Sequence, residues 1–374
     1  MKPEGLDAED TKAAELFDGS LDDVDAILDL NAFEPLARRR MAPDAFDYYA
    51  GGAMDETTLR ESVSAFSKWR LRPRVLNDVS NIDMNAEVLA TSVSLPLGLG
   101  PAALQGLADP EGEVATARAA AEAGVIFCLS TLGSRTIEEV GAASHGRKWF
   151  QLYIGQDRNM SRSLVERAEA AGFEAMVVTV DLPVVGYRER DLKNRFTVAP
   201  ELYGNLATAD AEGRPFHEVV GFVSDPSLSW ADLAWVRQVT ALPLVIKGIL
   251  TSEDARLAVE HGGDGIVVSN HGGRQLDRAI ASIDALEEVA QAVGGRAEIY
   301  LDGGVRRGSD VVTALALGAR SVFIGRPYLW ALAAGGQAGV ARALELIAAE
   351  IENAMALLGT RNIAEITRTH VIRV

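Results

Sequence analysis

Residues 264–277 read DGIVVSNHGGRQLD. Ile266, Val267 and Val268 form an apolar run that passes straight into Ser269, Asn270, His271, two glycines, Arg274 and Asp277. A short run of branched residues without polar alternation predicts a strand covered on both faces. The polar cluster then falls at the strand's end, and its meaning depends on the neighbouring runs.

Those runs repeat the pattern. They are LPLGLG (95–100), VIFCLS (125–130), WFQLYI (149–154), AMVVTVD (175–181), PLVIKG (243–248), EIYLDGG (298–304) and SVFIG (321–325). Helical patterns lie between them: EGEVATARAAAEAG, MSRSLVERAEAAG, TSEDARLAVEHGG and GSDVVTALALGA space their apolar residues by three and four, and several close on glycine. The second and fourth begin near Ser161 and Gly308–Ser309, read as their N-caps. Strands alternating with helices eight times over predict an α/β fold, a (β/α)8 TIM barrel, in preference to an open doubly wound sheet. LARRRM and PDAFDYYAGG, ahead of the barrel, predict an N-terminal helical cap, and 339–358 a terminal helix. Segment 196–229 is long, polar and without clear periodicity, and is read as a lid loop after strand 4.

In such barrels the active site forms at the C-terminal ends of the strands. Here the second run ends in Ser130, and the third carries Gln151 and Tyr153. The fourth ends in Thr179 and Asp181, the fifth in Lys247, and the sixth in Ser269, Asn270 and His271. The seventh ends in Asp302, Gly303 and Gly304, followed by Arg306 and Arg307, and the eighth in Gly325 and Arg326. Polar residues at the same end of seven runs mark a site. Glycines that admit backbone N–H groups, together with arginines, predict a phosphate cradle after the seventh and eighth strands. His271 is the acid–base candidate, because it alone of the five histidines ends a strand. Arg274 and Arg188 suit a two-pronged grip on a carboxylate; alone, Arg188 would read as a surface charge. Lys247 projects a cation into the mouth, suited to an electron-rich ring. GGAMDE and the other glycine pairs lack the strand–GxGxxG–helix context of a dinucleotide fold, so the phosphate belongs to a mononucleotide or a phosphorylated substrate.

Composition sets outer bounds. The chain has 374 residues, with 36 basic and 53 acidic side chains and a net charge of −17. Ten of the acids fall within residues 1–30, which are expected to form an acidic, mobile segment apart from a single domain over 31–374. The acidic balance argues against nucleic acid and anionic membrane as partners. The one cysteine, Cys128, rules out an intrachain disulfide or a multi-cysteine metal site and reads as core. No metal constellation is visible, and no signal peptide or apolar run of membrane-spanning length, so a soluble cytoplasmic protein is expected.

Taken together, SNHGGRQLD, LDGGVRRGSDV, FIGRP, FQLY, TVDLP, DLKNRF and DYYAGGAMDE resemble the FMN-dependent (S)-2-hydroxy-acid oxidase family, whose members include glycolate, lactate and mandelate-type oxidases. The resemblance runs over about 35–370. It implies oxidation of a small 2-hydroxy acid to the 2-keto acid with dioxygen reduced to hydrogen peroxide, FMN as cofactor, and a homotetramer or octamer. Residue by residue, it implies His271 as the base, with Asp181 pairing to it and favouring its charged form. Arg188 and Arg274 would bind the substrate carboxylate, and Tyr48 and Tyr153 would hydrogen-bond the carboxylate and the hydroxyl or keto oxygen. Lys247 would stabilise the reduced flavin. Ser130, Gln151, Thr179 and Ser269 would contact the ring and ribityl chain, with Pro101, Ala102 and Ala103 along one flavin edge. Asp302, Gly303, Gly304, Arg306, Gly325 and Arg326 would hold ribityl and phosphate.

Two positions depart from the common pattern. Leu132 stands where short-chain oxidases often carry tryptophan or another aromatic, which predicts a preference for acids larger than glycolate. Ala102 stands where plant-type enzymes commonly carry threonine, which alters one flavin contact. Ala103 matches the oxidase pattern. The alternatives are a soluble dehydrogenase passing electrons to a quinone or cytochrome, another FMN barrel such as a type 2 isopentenyl-diphosphate isomerase, and a flavin-binding protein without catalysis. The pairing of Arg188 and Arg274 with His271 favours an acid substrate.

Overall fold

The computed structural model describes residues 24–206 and 214–374. Eight parallel strands close into a barrel: β1 Leu97–Leu99, β2 Ile126–Ser130, β3 Lys148–Leu152, β4 Ala175–Thr179, β5 Leu244–Ile249, β6 Gly265–Val268, β7 Glu298–Asp302 and β8 Ser321–Ile324. Closure is made by β8 on β1, with Val322 opposite Leu97. Each of the eight apolar runs supplies one strand, to within a residue at either end, and the architecture is the expected TIM barrel.

The strands show no polar alternation because both of their faces are buried. Ile126, Cys128, Trp149, Val177, Val245, Val267, Tyr300 and Phe323 point into the barrel, while Phe127, Leu129, Phe150, Leu152, Val178 and Ile246 point out under the helices. Inside, Trp149 meets Tyr300 edge-on at 5.4 Å, and Tyr300 meets Phe323 at 5.9 Å. Such large rings need small neighbours. A Cβ on Gly98 would stand 2.4 Å from the Phe323 ring, and one on Gly265 would stand 2.8 Å from the Tyr300 ring. The hairpin Ala86–Val88/Thr91–Val93 plugs the N-terminal end of this interior with Val88 and Val93. Cys128 is free and buried, as a core residue.

Helices Phe33–Arg40 and Pro43–Ala50 form the expected cap. Helix Thr57–Ser64 follows and packs beneath the loop after β6. Several local expectations are corrected. The helix over 158–170 is capped by Asp157, whose carboxylate accepts from Asn159 N at 2.8 Å, and not by Ser161. Helix Gly308–Ala316 starts without a serine cap: Asp310 reaches back to accept from the N–H groups of Arg306 and Arg307 at 2.9 and 3.0 Å. The terminal helix begins earlier, at Arg326, and runs to Leu358 with a break where Gly336 takes φ +58°. That left-handed residue hides the first turns from a periodicity reading.

Of the acidic segment expected over 1–30, residues 1–23 lie outside the described residues. The remainder does not stand apart: Ile27 and Leu30 are buried, and Val24 packs against Gly335. Nor is the lid over 196–229 an irregular loop throughout. It holds a single turn at Pro200–Leu202 and a helix at Phe216–Val223 whose Phe216, Val219, Val220 and Val223 are buried; 207–213 lie outside the described residues. Among the described residues no helix is long and apolar enough to cross a membrane, and no cluster of three or more His, Cys, Asp or Glu is placed to hold a metal.

Candidate active site

The C-terminal ends of the strands surround a cleft enclosing about 1030 Å³, part of it open to solvent. The loop after β1 contributes Pro101, Ala102 and Ala103, and the end of β2 contributes Ser130 and Leu132. Tyr48, Tyr153, Arg188, His271 and Arg274 face the same space, with Lys247 at the end of β5. Asp302, Gly303, Gly304 and Arg306 line it from β7, and Gly325 and Arg326 from β8. Asp181, Gln151, Thr179 and Ser269 stand just behind this lining, buried or nearly so. Arg307, the other arginine of its motif, turns away and pairs with Glu350 at 2.7 Å.

His271 occupies a left-handed backbone position, φ +57°, followed by Gly272 and Gly273 at +63° and +74°. Such strain in a non-glycine residue is held only where the surroundings over-determine it. Here Asn270 closes the turn: its Oδ1 accepts from Gly273 N at 3.3 Å, and its amide donates to Ser62 Oγ at 2.9 Å. The imidazole Nδ1 lies 2.9 Å from Asp181 Oδ1. Burial pulls the His271 pKa down and the Lys247 cation adds to this, outweighing the raising influence of Asp181. Asp181 favours the charged imidazole, as expected, but the net shift is downward. Burial pushes Asp181 up, but the positive charges beside it hold its carboxyl below the ordinary value. A neutral imidazole beside a carboxylate is a competent base.

Lys247 is buried, donates to Ser269 Oγ at 3.0 Å and lies 3.4 Å from Asp302 Oδ2. Burial opposes its charge, yet Asp302 and Asp181 outweigh it and raise the pKa, so the ammonium persists. Ser269 Oγ also accepts from the His271 N–H at 3.1 Å, linking cation and base. Arg188 is buried rather than a surface charge; its Nε donates to the Arg274 carbonyl at 3.1 Å. Arg274 stacks over the Tyr48 ring at 4.8 Å. Burial raises the pKa of both Tyr48 and Tyr153, so both phenols remain donors.

Arg326 donates to the carbonyls of Tyr49, Gly272 and Gly51 at 2.8, 2.9 and 2.9 Å. That uses three of its five N–H groups. Burial, with Arg274 and Arg306 nearby, depresses its pKa well below the usual guanidinium value. The cleft thus concentrates positive charge that an anion would relieve. Gly303 and Gly304 have φ of +92° and +84°, and a Cβ on Gly304 would stand 1.9 Å from the Ser62 carbonyl oxygen. At Gly325 a Cβ would meet nothing within 4 Å, so its backbone borders open space in the cleft. Three polar atoms at the strand ends, Gln151 Nε2, Thr179 Oγ1 and Asp302 Oδ1, are buried without partners. Orphaned donors and acceptors, an open glycine cradle and half-buried arginines are the features that a ring with polar edges, a polyol and a phosphate would satisfy.

The model of the family described as FMN-dependent dehydrogenase matches residues 37–373. The chain belongs to this FMN-dependent 2-hydroxy-acid oxidase family. Glycolate oxidase of Spinacia oleracea is 49% identical over 354 residues, covering 92% of this chain and 95% of that protein. L-lactate oxidase of Nostoc sp. is 49% identical over 351 residues, covering 91% and 96%. The crystal structure of mandelate oxidase with (S)-4-hydroxymandelic acid is 42% identical, covering 93% of this chain and 99% of that one, with a TM-score of 0.88. The chain is an FMN-dependent enzyme that oxidises a 2-hydroxy acid, and the cleft's residues fit that cofactor.

Part of this family site escaped sequence reasoning. Phe216 and Val220 from the lid helix, Leu182 after β4, Tyr49 and Leu329 all line the cleft. Phe216 meets Tyr48 edge-on at 4.9 Å, and Phe196 stacks on the other side of Tyr48 at 4.7 Å. The apolar spacing in FHEVVGFV was the available signal, masked by the polar stretch before it.

Proposed function

We propose that this enzyme removes two electrons and the 2-hydroxyl and 2-carbon protons from an (S)-2-hydroxy acid larger than glycolate, and passes the electrons to dioxygen, giving hydrogen peroxide. The observation that carries the reading is the 2.9 Å His271–Asp181 pair set in one cleft with the buried Arg188 and the half-buried Arg274. Bound FMN supplies the two-electron acceptor. Arg188 and Arg274 grip the carboxylate and fix the substrate's orientation. His271 takes a proton at Nε2, its Nδ1 side being held by Asp181. Tyr48 and Tyr153 donate to substrate oxygens. Lys247 keeps a fixed cation at the cleft floor, where negative charge that builds during turnover is stabilised. Pro101, Ala102 and Ala103 would border one ring edge, and Ser130, Gln151, Thr179 and Ser269 would contact its polar side. Asp302, Gly303, Gly304, Arg306, Gly325 and Arg326 would hold the ribityl chain and phosphate.

The size preference rests on Leu132, which lines the cleft with a side chain smaller than an indole. Each extra buried methylene contributes about 0.8 kcal/mol, or about fourfold in specificity constant. The test is anaerobic mixing with glycolate, lactate, 2-hydroxyoctanoate and mandelate, followed by reoxidation in air. Fast bleaching by the larger acids and fast reoxidation are expected. A maximum at glycolate would remove the size assignment, and slow reoxidation in air would remove the oxidase assignment. Assembly as a homotetramer or octamer in the cytoplasm belongs to the same proposal, its subunit number readable by light scattering.

A further inference from the structure

Glu113 opens the helix Glu113–Glu122, sequence EVATARAAAE, and is fully buried. A carboxylate removed from water on an alanine-rich helix needs strong partners. It has four contacts from outside its own helix. Its Oε1 accepts from the N–H groups of Gln105 and Ser134 at 3.0 and 2.8 Å. Its Oε2 accepts from Ser134 Oγ and the Arg135 N–H at 2.6 and 3.1 Å. Burial raises its pKa, while these bonds pull the other way.

The donors come from two loops. Gln105 ends the loop after β1 that carries Pro101 to Ala103. Ser134 and Arg135 follow Leu132 in the loop after β2. Direct bonds join the same loops: Leu104 N donates to the Leu132 carbonyl at 2.9 Å, and Gly106 N to Ser134 Oγ at 2.6 Å. The lid's entry docks on this assembly. Gly204 N donates to the Gly133 carbonyl at 3.0 Å, Ile137 N donates to Asn205 Oδ1 at 2.9 Å, and a Cβ on Gly204 would stand 2.7 Å from the Arg135 carbonyl carbon.

We infer that Glu113 is a positioning residue: its buried carboxylate locks the loops after β1 and β2 into one wall and thereby sets the discrimination between small and large hydroxy acids, an inference that rests on Leu132 as the size gate. Glu113 does not line the cleft and touches no substrate. Its action is to hold Leu132 and the Pro101–Ala103 edge in fixed relation.

Chemistry makes this testable with one atom changed. In Glu113→Gln an NH2 replaces one oxygen. Placed at Oε1, it faces the N–H groups of Gln105 and Ser134; placed at Oε2, it faces the N–H of Arg135. In the first the Gln105 and Ser134 N–H groups lose their acceptor and in the second the Arg135 N–H does, so neither orientation satisfies every donor and the joint between the loops is weakened.

The experiment measures kcat/KM for 2-hydroxyoctanoate and glycolate on FMN-loaded wild type, Glu113→Gln, Ser134→Ala and Leu132→Trp. FMN affinity is measured by fluorescence and the pH profile is recorded. Glu113→Gln should bring the octanoate-to-glycolate ratio about fivefold or more closer to unity and weaken FMN about threefold, leaving the His271-dependent acid limb in place. Ser134→Ala should move both in the same direction by less. A stability loss with the ratio unchanged, while Leu132→Trp does move it, overturns the inference. If Glu113→Gln does not fold, Ser134→Ala carries the test on the same criteria. If Leu132→Trp leaves the ratio unmoved, the gate reading fails, and FMN affinity alone decides: weakened binding supports the positioning role and unchanged binding overturns it.

Discussion

Across the cleft, strands β5 to β8 present Lys247, His271, Arg306 and Arg326, whereas the loops after β1, β2 and β4 and the lid helix present Ala103, Leu132, Leu182, Phe216 and Val220. The first side is polar, and its groups are tied to one another: Lys247 to Ser269 and Asp302, His271 to Asp181, Arg326 to three carbonyls. These groups of the second side are apolar, and the loops after β1 and β2 are held by main-chain bonds, by the Ser134 hydroxyl and by one buried carboxylate, Glu113. A charged network tolerates little change, because any lost partner leaves a buried group unpaired. An apolar wall can be refilled, because volume is what it conserves. The first side therefore governs whether the reaction runs, and the second governs which acid it runs on.

Breaking the polar side should have the largest effect. His271→Ala should lower anaerobic flavin reduction by about 10²–10⁴-fold, the usual scale for general acid–base help, with FMN still bound. Stopped-flow absorbance reads it; a variant keeping a tenth of the wild-type rate would remove the base from this side of the cleft. Arg274→Lys keeps the charge but loses the planar fork, and about a tenfold to hundredfold fall in kcat/KM is expected for every acid tested. A fall for one acid only would assign Arg274 to selectivity instead.

The pH profile sharpens the same side. His271 must be neutral to act, and its folded pKa lies below the ordinary value because burial outweighs Asp181. The reduction rate should therefore rise with pH through a midpoint below about 6.5 and stay flat through neutrality. Asp181→Asn removes a raising influence, so this acid limb should move to lower pH while the plateau falls. A limb that moves upward would contradict the sign assigned to Asp181. On the apolar side, Phe216→Ala opens space beside Tyr48 and should cost about threefold to tenfold in kcat/KM for large acids and less for glycolate, read from steady-state kinetics.

The two sides also differ in how far the sequence reveals them. The eight strands are legible because burial on both faces leaves unbroken apolar runs, and the polar residues that end them stand out by contrast. His271, Lys247, Arg306 and Arg326 were found in that way. Phe216 and Val220 were not, because the short apolar period of FHEVVGFV follows a polar stretch and a lid's place over a cleft follows from tertiary docking. Glu113 looks like the solvent face of an ordinary helix until Ser134 and Gln105 are seen to close around it. Asn270 was read as part of the site, but its part in holding the left-handed turn at His271 depends on Ser62, 208 residues away in the chain. The motifs show the charge pairing of Asp181 with His271, which does favour the charged imidazole; the burial that outweighs it is visible only in the fold.

The division between the two sides is tested most directly by one measurement: anaerobic reduction rates for glycolate, lactate, 2-hydroxyoctanoate and mandelate in wild type, His271→Ala and Leu132→Trp. His271→Ala should lower all four rates by a common factor and keep their order. Leu132→Trp should leave the fastest rate within about tenfold of wild type and move the preference toward glycolate and lactate. A reordering in His271→Ala, or a uniform fall in Leu132→Trp, would contradict the account.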